Sequence, residues 1–518
     1  MQNLIHLYMA HKLKILITFS LIIVSTIVFV FAKTVNPSYT VSDSDTTGFI
    51  NEKKEYVKHF IKENNIDGLA IAFFTKNEII WKECLGKSTY NKPINDSTLF
   101  GICSVSKNIT ALAVMFAVQD GLLDLDTPII KYLPDFTVNS CYEESPAEKI
   151  TLRMMLSHTV GFSHEAPIGN NIDYRCNSKQ EHWNSINDTW LKFPVNTKWA
   201  YSGNGFDLAS KIIEKVSGIS FETYVKEKIF SPLDMKYSTF SDNEVINNDN
   251  RTEGVVNPFV KINHKKIPVI GAGAAYSNIE DMVKYVQFQM NHGELDNKQL
   301  LEKKYLFQMY TINKNFYGLG TWIVRPNDND ILKTFYLTHS GEGFGYASTM
   351  LWFPEYGLGC VILGNKPFNY NDIAENITTE YILNNETMLN IKNSNIGYTP
   401  VFNPDEKFNQ KFDFVYPKNE KKSIAYKKES IIGKYELILD NTQGKWFTKI
   451  VAFLGIKVVT VNVSQKEGKL LVDGMLGNYK LEEYIPGLYF SDDGEVFDIR
   501  NSVPTFQNIK LRKYSDKQ

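Results

Sequence analysis

The stretch Ile109 to Val118, with Thr110 its one polar residue, carries no breaker before Asp120-Gly121. It is apolar on nearly every side of a helix, which predicts a helix buried all round and not one lying on a surface. Directly before it stands Phe100-Gly101-Ile102-Cys103-Ser104-Val105-Ser106-Lys107. Ser104 and Lys107, three apart, share one helical face, with Cβ atoms about 5–6 Å apart. The positive end of the helix dipole and the free backbone N–H groups beside Ser104 suit a developing oxyanion. Lys107 is placed to take the serine's proton. A serine at a helix start is usually a cap, and a first-turn lysine is usually solvated. Against that, S-x-x-K occurs nowhere else in the chain, and its one copy heads this helix.

At 518 residues the chain is long for one domain and suggests two or three. Apolar residues at 43% and charged residues at 22% permit a large core. The formal net charge of −2, with no basic stripe, argues against a nucleic-acid partner. The five cysteines show no C-x-x-C and no zinc spacing, so neither metal nor cofactor is expected. Cys141 with Cys176 is the one pair to consider as a disulfide.

Lys12 and Lys14 precede Ile15 to Ala32, 18 uncharged residues (32 − 15 + 1). That is long for a signal peptide's apolar region and just long enough to span a bilayer. Residues 1–37 are therefore read as a membrane anchor or signal peptide, with an uncleaved anchor preferred. In both cases the chain beyond Lys33 lies outside the cytoplasm; secretion after cleavage is the alternative. Residues 38–49 read as a polar stalk, followed by an amphipathic helix from about Ile50 to Glu63. Leu69 to Phe74 and Ile79 to Cys84 predict two strands joined by the Lys76-Asn77 turn. A short helix from Thr127-Pro128 and another over Thr151 to His158 open a helical block that reaches about Leu233. Strand patterns return at Tyr317 to Val324, Tyr336 to Ser340, Tyr346 to Phe353 and Gly359 to Leu363, then a helix at Ile373 to Leu383. Strands at both ends with helices between imply one sheet closed by both ends and an all-α subdomain, an α+β arrangement. Residues 391–430 lose apolar periodicity and read as a linker. Short strand patterns then fill residues 431–518, a small antiparallel all-β domain.

Two further stretches complete a site if they meet Ser104 in space. Trp199-Ala200-Tyr201-Ser202-Gly203-Asn204-Gly205 puts a tyrosine at a helix entrance, where a phenol can relay a proton to a leaving group. Thr338-His339-Ser340-Gly341 ends a strand, and glycine there lets a substrate backbone lie close to the strand edge. Together with Ile150 to Thr159 and Ser231-Pro232-Leu233-Asp234-Met235, in this order, the motifs resemble the serine β-lactamase and penicillin-binding protein superfamily. The likeness is to its class C-like branch of D-alanyl-D-alanine carboxypeptidases and esterases, over roughly Ile50 to Glu380. It implies a β-lactamase/transpeptidase-like fold over residues 50–390. Ser104 would be the acylated nucleophile, Lys107 and Tyr201 base and acid, and His339, Ser340, Gly341, Glu342 and Gly203 would line the substrate. The backbone N–H groups of Ser104 and Glu342 would form the oxyanion hole.

The resemblance thus implies an exported serine hydrolase cleaving an amide or ester: a peptidoglycan-type D-amino-acid peptide, an ester or a β-lactam. The alternative is a penicillin-binding or sensing protein that acylates without efficient turnover. Partners would be a small-molecule or peptide substrate, cell-wall peptide included, and the membrane through the N-terminal segment. Two departures bear on substrate. Gly203 stands where relatives have Asn, with Asn204 one residue late, and His339 stands where many have Lys. Protonation of His339 near pH 6 would restore the missing cation. Ser241-Asp242-Asn243 reads as turn chemistry, and Gly341-Glu342-Gly343-Phe344-Gly345 joins two strands with no helix to hold a phosphate. No H-E-x-x-H or G-x-S-x-G occurs.

Overall fold

The computed structural model describes residues 43–513 apart from 89–90, 170–177, 258–259, 263–267, 327–331, 391–399, 403–430, 438–459, 467–468, 475–476 and 502. The chain divides into residues 1–53 and residues 54–518. The apolar segment Ile15 to Ala32, Cys176 and most of the linker region lie outside the described residues. Among the described residues, no helix is long and apolar enough to cross a membrane.

Helix α1, Asp43–Glu63, begins before Ile50, so part of the expected stalk is helical. Ser, Thr and Asp are favoured at helix starts as well as in loops, and the polar composition alone did not separate the two. Strands β1 (Gly68–Thr75) and β2 (Ile79–Gly86) then form a hairpin. After the helical block come β3 (Trp322–Val324), β4 (Tyr336–Gly343), β5 (Tyr346–Phe353) and β6 (Leu358–Gly364). All six make one sheet in the order β2-β1-β6-β5-β4-β3. The closure is antiparallel, with Leu69 opposite Gly364 and Thr75 opposite Leu358. The sheet expected from strands at both ends of the domain is therefore present. Its central strands β5 and β6 are buried at every position, as continuous apolar runs require when both faces are covered.

Helix α2, Ser106–Gln119, is the predicted buried rod, with every residue from Ser106 to Ala117 buried. Fully burying each large side chain on it, such as Leu112 or Met115, contributes about 1.5–3 kcal/mol. Among its buried polar residues, Asn108 is fully satisfied. Its Nδ2 donates to Gly320 O (3.0 Å) and Thr321 Oγ1 (2.8 Å), and its Oδ1 accepts from Tyr285 Oη (2.7 Å) and Gln289 Nε2 (3.1 Å). Helices α3 (Asn204–Ser217) and α4 (Ile279–Met290) lie to either side, α3 against α2 and α4 against β1 and β6. Helix α5, Asn371–Leu383, covers β5 and β6. Ser241 caps the short helix Asp242–Ile246 by accepting from Glu244 N, so Ser241-Asp242-Asn243 is a helix start. Phe344 and Gly345, both at positive φ, turn β4 into β5.

Among the described residues, the C-terminal region forms a closed barrel of eight strands: β7 (Gly433–Leu437), β8 (Thr460–Lys466), β9 (Lys469–Gly474), β10 (Gly477–Ile485), β11 (Leu488–Ser491), β12 (Val496–Asp498), β13 (Thr505–Phe506) and β14 (Ile509–Lys513). Its interior is packed with Tyr435, Val461, Val472, Tyr489, Phe497 and Phe506. The sequence patterns do not reveal the two- and three-residue strands β12 and β13, which are too short to show alternation. The barrel docks on the helical block. Trp190 meets Phe490 edge to face at 6.3 Å, and Lys192 Nζ lies 2.5 Å from Glu495 Oε1 with both side chains under 10% exposed. Lys192→Met strands the Glu495 carboxylate, and should destabilise this interface by about 3–5 kcal/mol in chemical denaturation. Adding Glu495→Gln should recover most of that loss. A single mutant as stable as wild type would mean the pair is solvated in solution.

Candidate active site

Residues Phe100–Gly101 pair with Tyr276–Ser277, which brings the chain to the head of α2. Cys103, at φ 48°, then swings it into a single 3-10 turn, Cys103–Val105, and α2 follows. A left-handed non-glycine residue costs roughly 1–2 kcal/mol, placed one residue before Ser104. Ser104 therefore sits in the 3-10 turn and not in the α-helix proper, while Lys107 lies in the first α turn. The two side chains still meet: Lys107 Nζ donates to Ser104 Oγ at 3.1 Å and to Ala272 O at 2.8 Å. Lys107 is 3% exposed, and those two oxygens are its hydrogen-bond partners.

Tyr201 reaches the same point from the loop before α3. Its ring centre is 4.9 Å from Lys107 Nζ, and that of Phe206 is 5.9 Å away. His158 backs Tyr201 at 4.4 Å between ring centres and also touches Phe206, Tyr317 and Trp199. Its Nδ1 accepts from Ser202 N at 3.1 Å, fixing the tyrosine loop. Burial, then the charge of Lys107, hold its pKa well below the usual histidine value, so it serves as a neutral wall. Gly203 N donates to His164 O at 2.9 Å. A Cβ built at Gly203 would meet Ala272 Cβ at 3.4 Å, ordinary contact, so the backbone does not demand glycine there. The neighbouring Asn204 is buried and its Nδ2 donates to Ser163 O at 3.1 Å, a structural bond. The barrel joins this network, with Asn508 Nδ2 donating to Ser163 Oγ (3.0 Å) and Glu165 O (2.8 Å).

Strand β4 supplies the opposite wall. Its partner β3 ends at Trp322 opposite Thr338, and past that point Cys103–Val105 packs beside β4. Alternation along the strand exposes Ser340 and Glu342 and buries His339 and Gly341. A Cβ on Gly341 would fall 2.2 Å from Ile102 O and 2.8 Å from Ser104 N, so glycine is what lets the strand lie against the serine turn. His339 Nδ1 donates to Ser340 O (2.8 Å) and its Nε2 accepts from Tyr317 Oη (3.0 Å), one tautomer satisfying both. Burial, then nearby Lys107, push its pKa down to about 3. The protonation expected near pH 6 is thereby corrected, because both ring nitrogens are engaged inside the protein.

Ser104, Lys107, Tyr201, Gly203, His339, Ser340 and Glu342 line one cleft of about 890 Å³, which continues past Trp322, Arg325, Asn371 and Phe402. The residues singled out in the sequence thus converge, Gly341 lying just beneath the cleft wall. Sequence reasoning did not assign His158, Tyr317, His182 or Asp207. His158 lay within a quoted motif, whereas the others are brought in by packing and carry no local spacing signal. Chemically, the cleft offers a hydroxyl bonded to a buried amine, a phenol beside that amine, and a strand edge against the hydroxyl-bearing turn.

Comparison with known proteins fits this layout. "Beta-lactamase-like protein 2" of Dictyostelium discoideum is 24% identical over 414 residues, 76% of this chain and 73% of that protein. "Protein flp" of Staphylococcus aureus strain MRSA252 is 22% identical over 338 residues, 63% of this chain and 65% of its own length. The octameric penicillin-binding protein homologue from Pyrococcus abyssi has a similar fold, with TM-score 0.58 at 19% identity over 89% of this chain and 99% of that one. The Beta-lactamase family matches residues 54–380, a span that takes in the six-stranded sheet and the cleft residues built around Ser104 and Lys107, and the chain belongs to that family.

Proposed function

We propose that the protein is an exported serine hydrolase that forms an acyl-enzyme on Ser104 and cleaves an amide or ester. The observation that carries this reading is the 3.1 Å contact between Ser104 Oγ and the amine of the buried Lys107. In the reaction, Oγ attacks the acyl carbon as its proton passes to Nζ. The N–H groups of Ser104 and Glu342 receive the oxyanion, and Lys107 with Tyr201 returns the proton to the leaving group. Water then attacks the acyl-enzyme and frees Ser104. Family members are serine hydrolases, which supports the class of reaction; peptides, esters and β-lactams of the cell-wall type are the substrates proposed. Export rests on the basic, then apolar residues Lys12 to Ala32, and retention in the membrane fraction is the expected result.

Intact-mass analysis after exposure to chromogenic esters and β-lactams tests the central claim. A mass increase lost in Ser104→Ala, with continued ester turnover, is expected. Adducts that persist without turnover would make the protein an acylated binder, and no adduct with any probe would end the Ser104 reading. A pH series tests the charge in the cleft. With His339 neutral down to a pKa of about 3, the rate ratio of anionic to neutral substrates should stay flat from about pH 8 to about pH 6, the window of an ordinary histidine. A ratio rising toward pH 6 would place a titrating cation on the substrate.

A further inference from the structure

Four hydrogen bonds run in series from Lys107 into the protein. Lys107 Nζ donates to Ala272 O (2.8 Å), and Ala272 N donates to Asp207 Oδ1 (3.0 Å). Asp207 Oδ2 lies 2.9 Å from His182 Nε2, and His182 Nδ1 lies 2.6 Å from Ile168 O. The side chains of His182 and Asp207 are each 1% exposed. Both imidazole nitrogens therefore face acceptors, a carboxylate on one side and a carbonyl on the other. A neutral ring has one N–H and would press its other lone pair against an oxygen; an imidazolium donates twice. Gly169, at φ 81°, brings the chain close here, since a Cβ on it would meet Pro268 Cγ at 2.5 Å and His182 Nδ1 at 3.1 Å.

We propose that His182 is a buried imidazolium, and that its ion pair with Asp207 is a positioning element that clamps the Ala272 peptide so that Ala272 O holds Lys107 Nζ against Ser104 Oγ. Neither residue touches the reacting atoms; both act through the lysine, so the inference rests on the reading of Ser104 and Lys107 as a reacting pair. Burial works against charge on His182, but the Asp207 carboxylate and the Ile168 carbonyl outweigh it and hold the pKa above the usual value. Ala272 lies in the first turn of the short helix Ile270–Gly273, where its N–H has no partner within the helix. Asp207, on the first turn of α3, supplies that partner from a neighbouring element. A simple cap would do the same and stop there, so the experiment has to separate a cap from a clamp on the lysine.

Full-length protein is assayed with a chromogenic acyl ester as wild type, Asp207→Ala and Asp207→Asn. Asp207→Ala should lower kcat by about 30–100-fold with KM nearly unchanged, the size of effect expected when a reacting group is misplaced by about 1 Å. Asp207→Asn keeps an acceptor for Ala272 N but removes the carboxylate that pairs with His182, and should recover only a small part of that loss. Ring nitrogen NMR of wild-type protein at about pH 8, above histidine's ordinary titration, should show both nitrogens of His182 protonated, a measurement that needs no variant to fold. A neutral His182, or Asp207→Ala with kcat close to wild type, overturns the inference. Asp207→Asn with kcat close to wild type also overturns it, because an acceptor for Ala272 N alone would then suffice. Wild-type protein that takes no acyl group at Ser104 refutes the functional reading itself, a result distinct from wild-type acylation that Asp207→Ala leaves untouched.

Discussion

Lys107→Met should abolish acylation of Ser104 nearly as completely as Ser104→Ala, a loss on the order of 10³-fold or more, because nucleophile and base act as a unit and their losses do not add. Methionine matches the lysine stem in length and would rest against the rings of Tyr201 and Phe206, which already flank Nζ. Folding should therefore survive. The main structural loss is the bond to Ala272 O, and an unpaired buried carbonyl costs about 1–3 kcal/mol. The measurement is the rate of adduct formation by intact mass, compared at matched thermal stability. A methionine variant that acylates within about tenfold of wild type would make Lys107 structural, since removing a general base normally costs at least about 10².

Gly341→Ala is the second large effect. The added methyl would stand 2.2 Å from Ile102 O and 2.8 Å from Ser104 N, both backbone atoms of the serine turn, and 2.9 Å from Ser348 Oγ. Neither backbone atom can rotate away, so strand β4 and the turn must separate. That displaces the N–H of Ser104 from the N–H of Glu342, and losing one oxyanion donor costs about 10²–10³ in kcat. The outcome to measure is kcat for a small ester beside the midpoint of unfolding. Activity retained within a few-fold would show that the strand does not form the oxyanion site. Activity lost in proportion to unfolded protein would show that the glycine serves stability alone.

Much of the site was legible because its chemistry is carried by short local patterns. Ser104 and Lys107 are three residues apart in one turn, and the backbone geometry of helices brings such a pair together whatever surrounds it. Tyr201 and His339 could be nominated from a helix entrance, a strand end and the family resemblance of the motifs around them, and their meeting with Ser104 needed the fold. His339 is the instructive case. Its place in the strand could be read, but its direction could not: alternation turns it inward, to Tyr317, and exposes Ser340 and Glu342 instead. A one-residue parity along a strand reverses the face of a side chain, so a charge argument built on residue type alone went astray.

Local pattern alone required that a helix as apolar as α2 be buried, that strands from both ends of the domain share a sheet, and that a serine and a lysine face each other at the helix head. These are consequences of periodicity and spacing, which act over a few residues. It took the folded chain to put Cys103 into a left-handed turn and to bring His182 to Asp207. Nor could the sequence tell that Ala272 would stand between that pair and Lys107, or that eight short strands would close into a barrel touching the Ser163 loop. Those contacts join residues far apart in the chain, and a buried polar atom takes its partner from whichever element packing brings within about 3 Å.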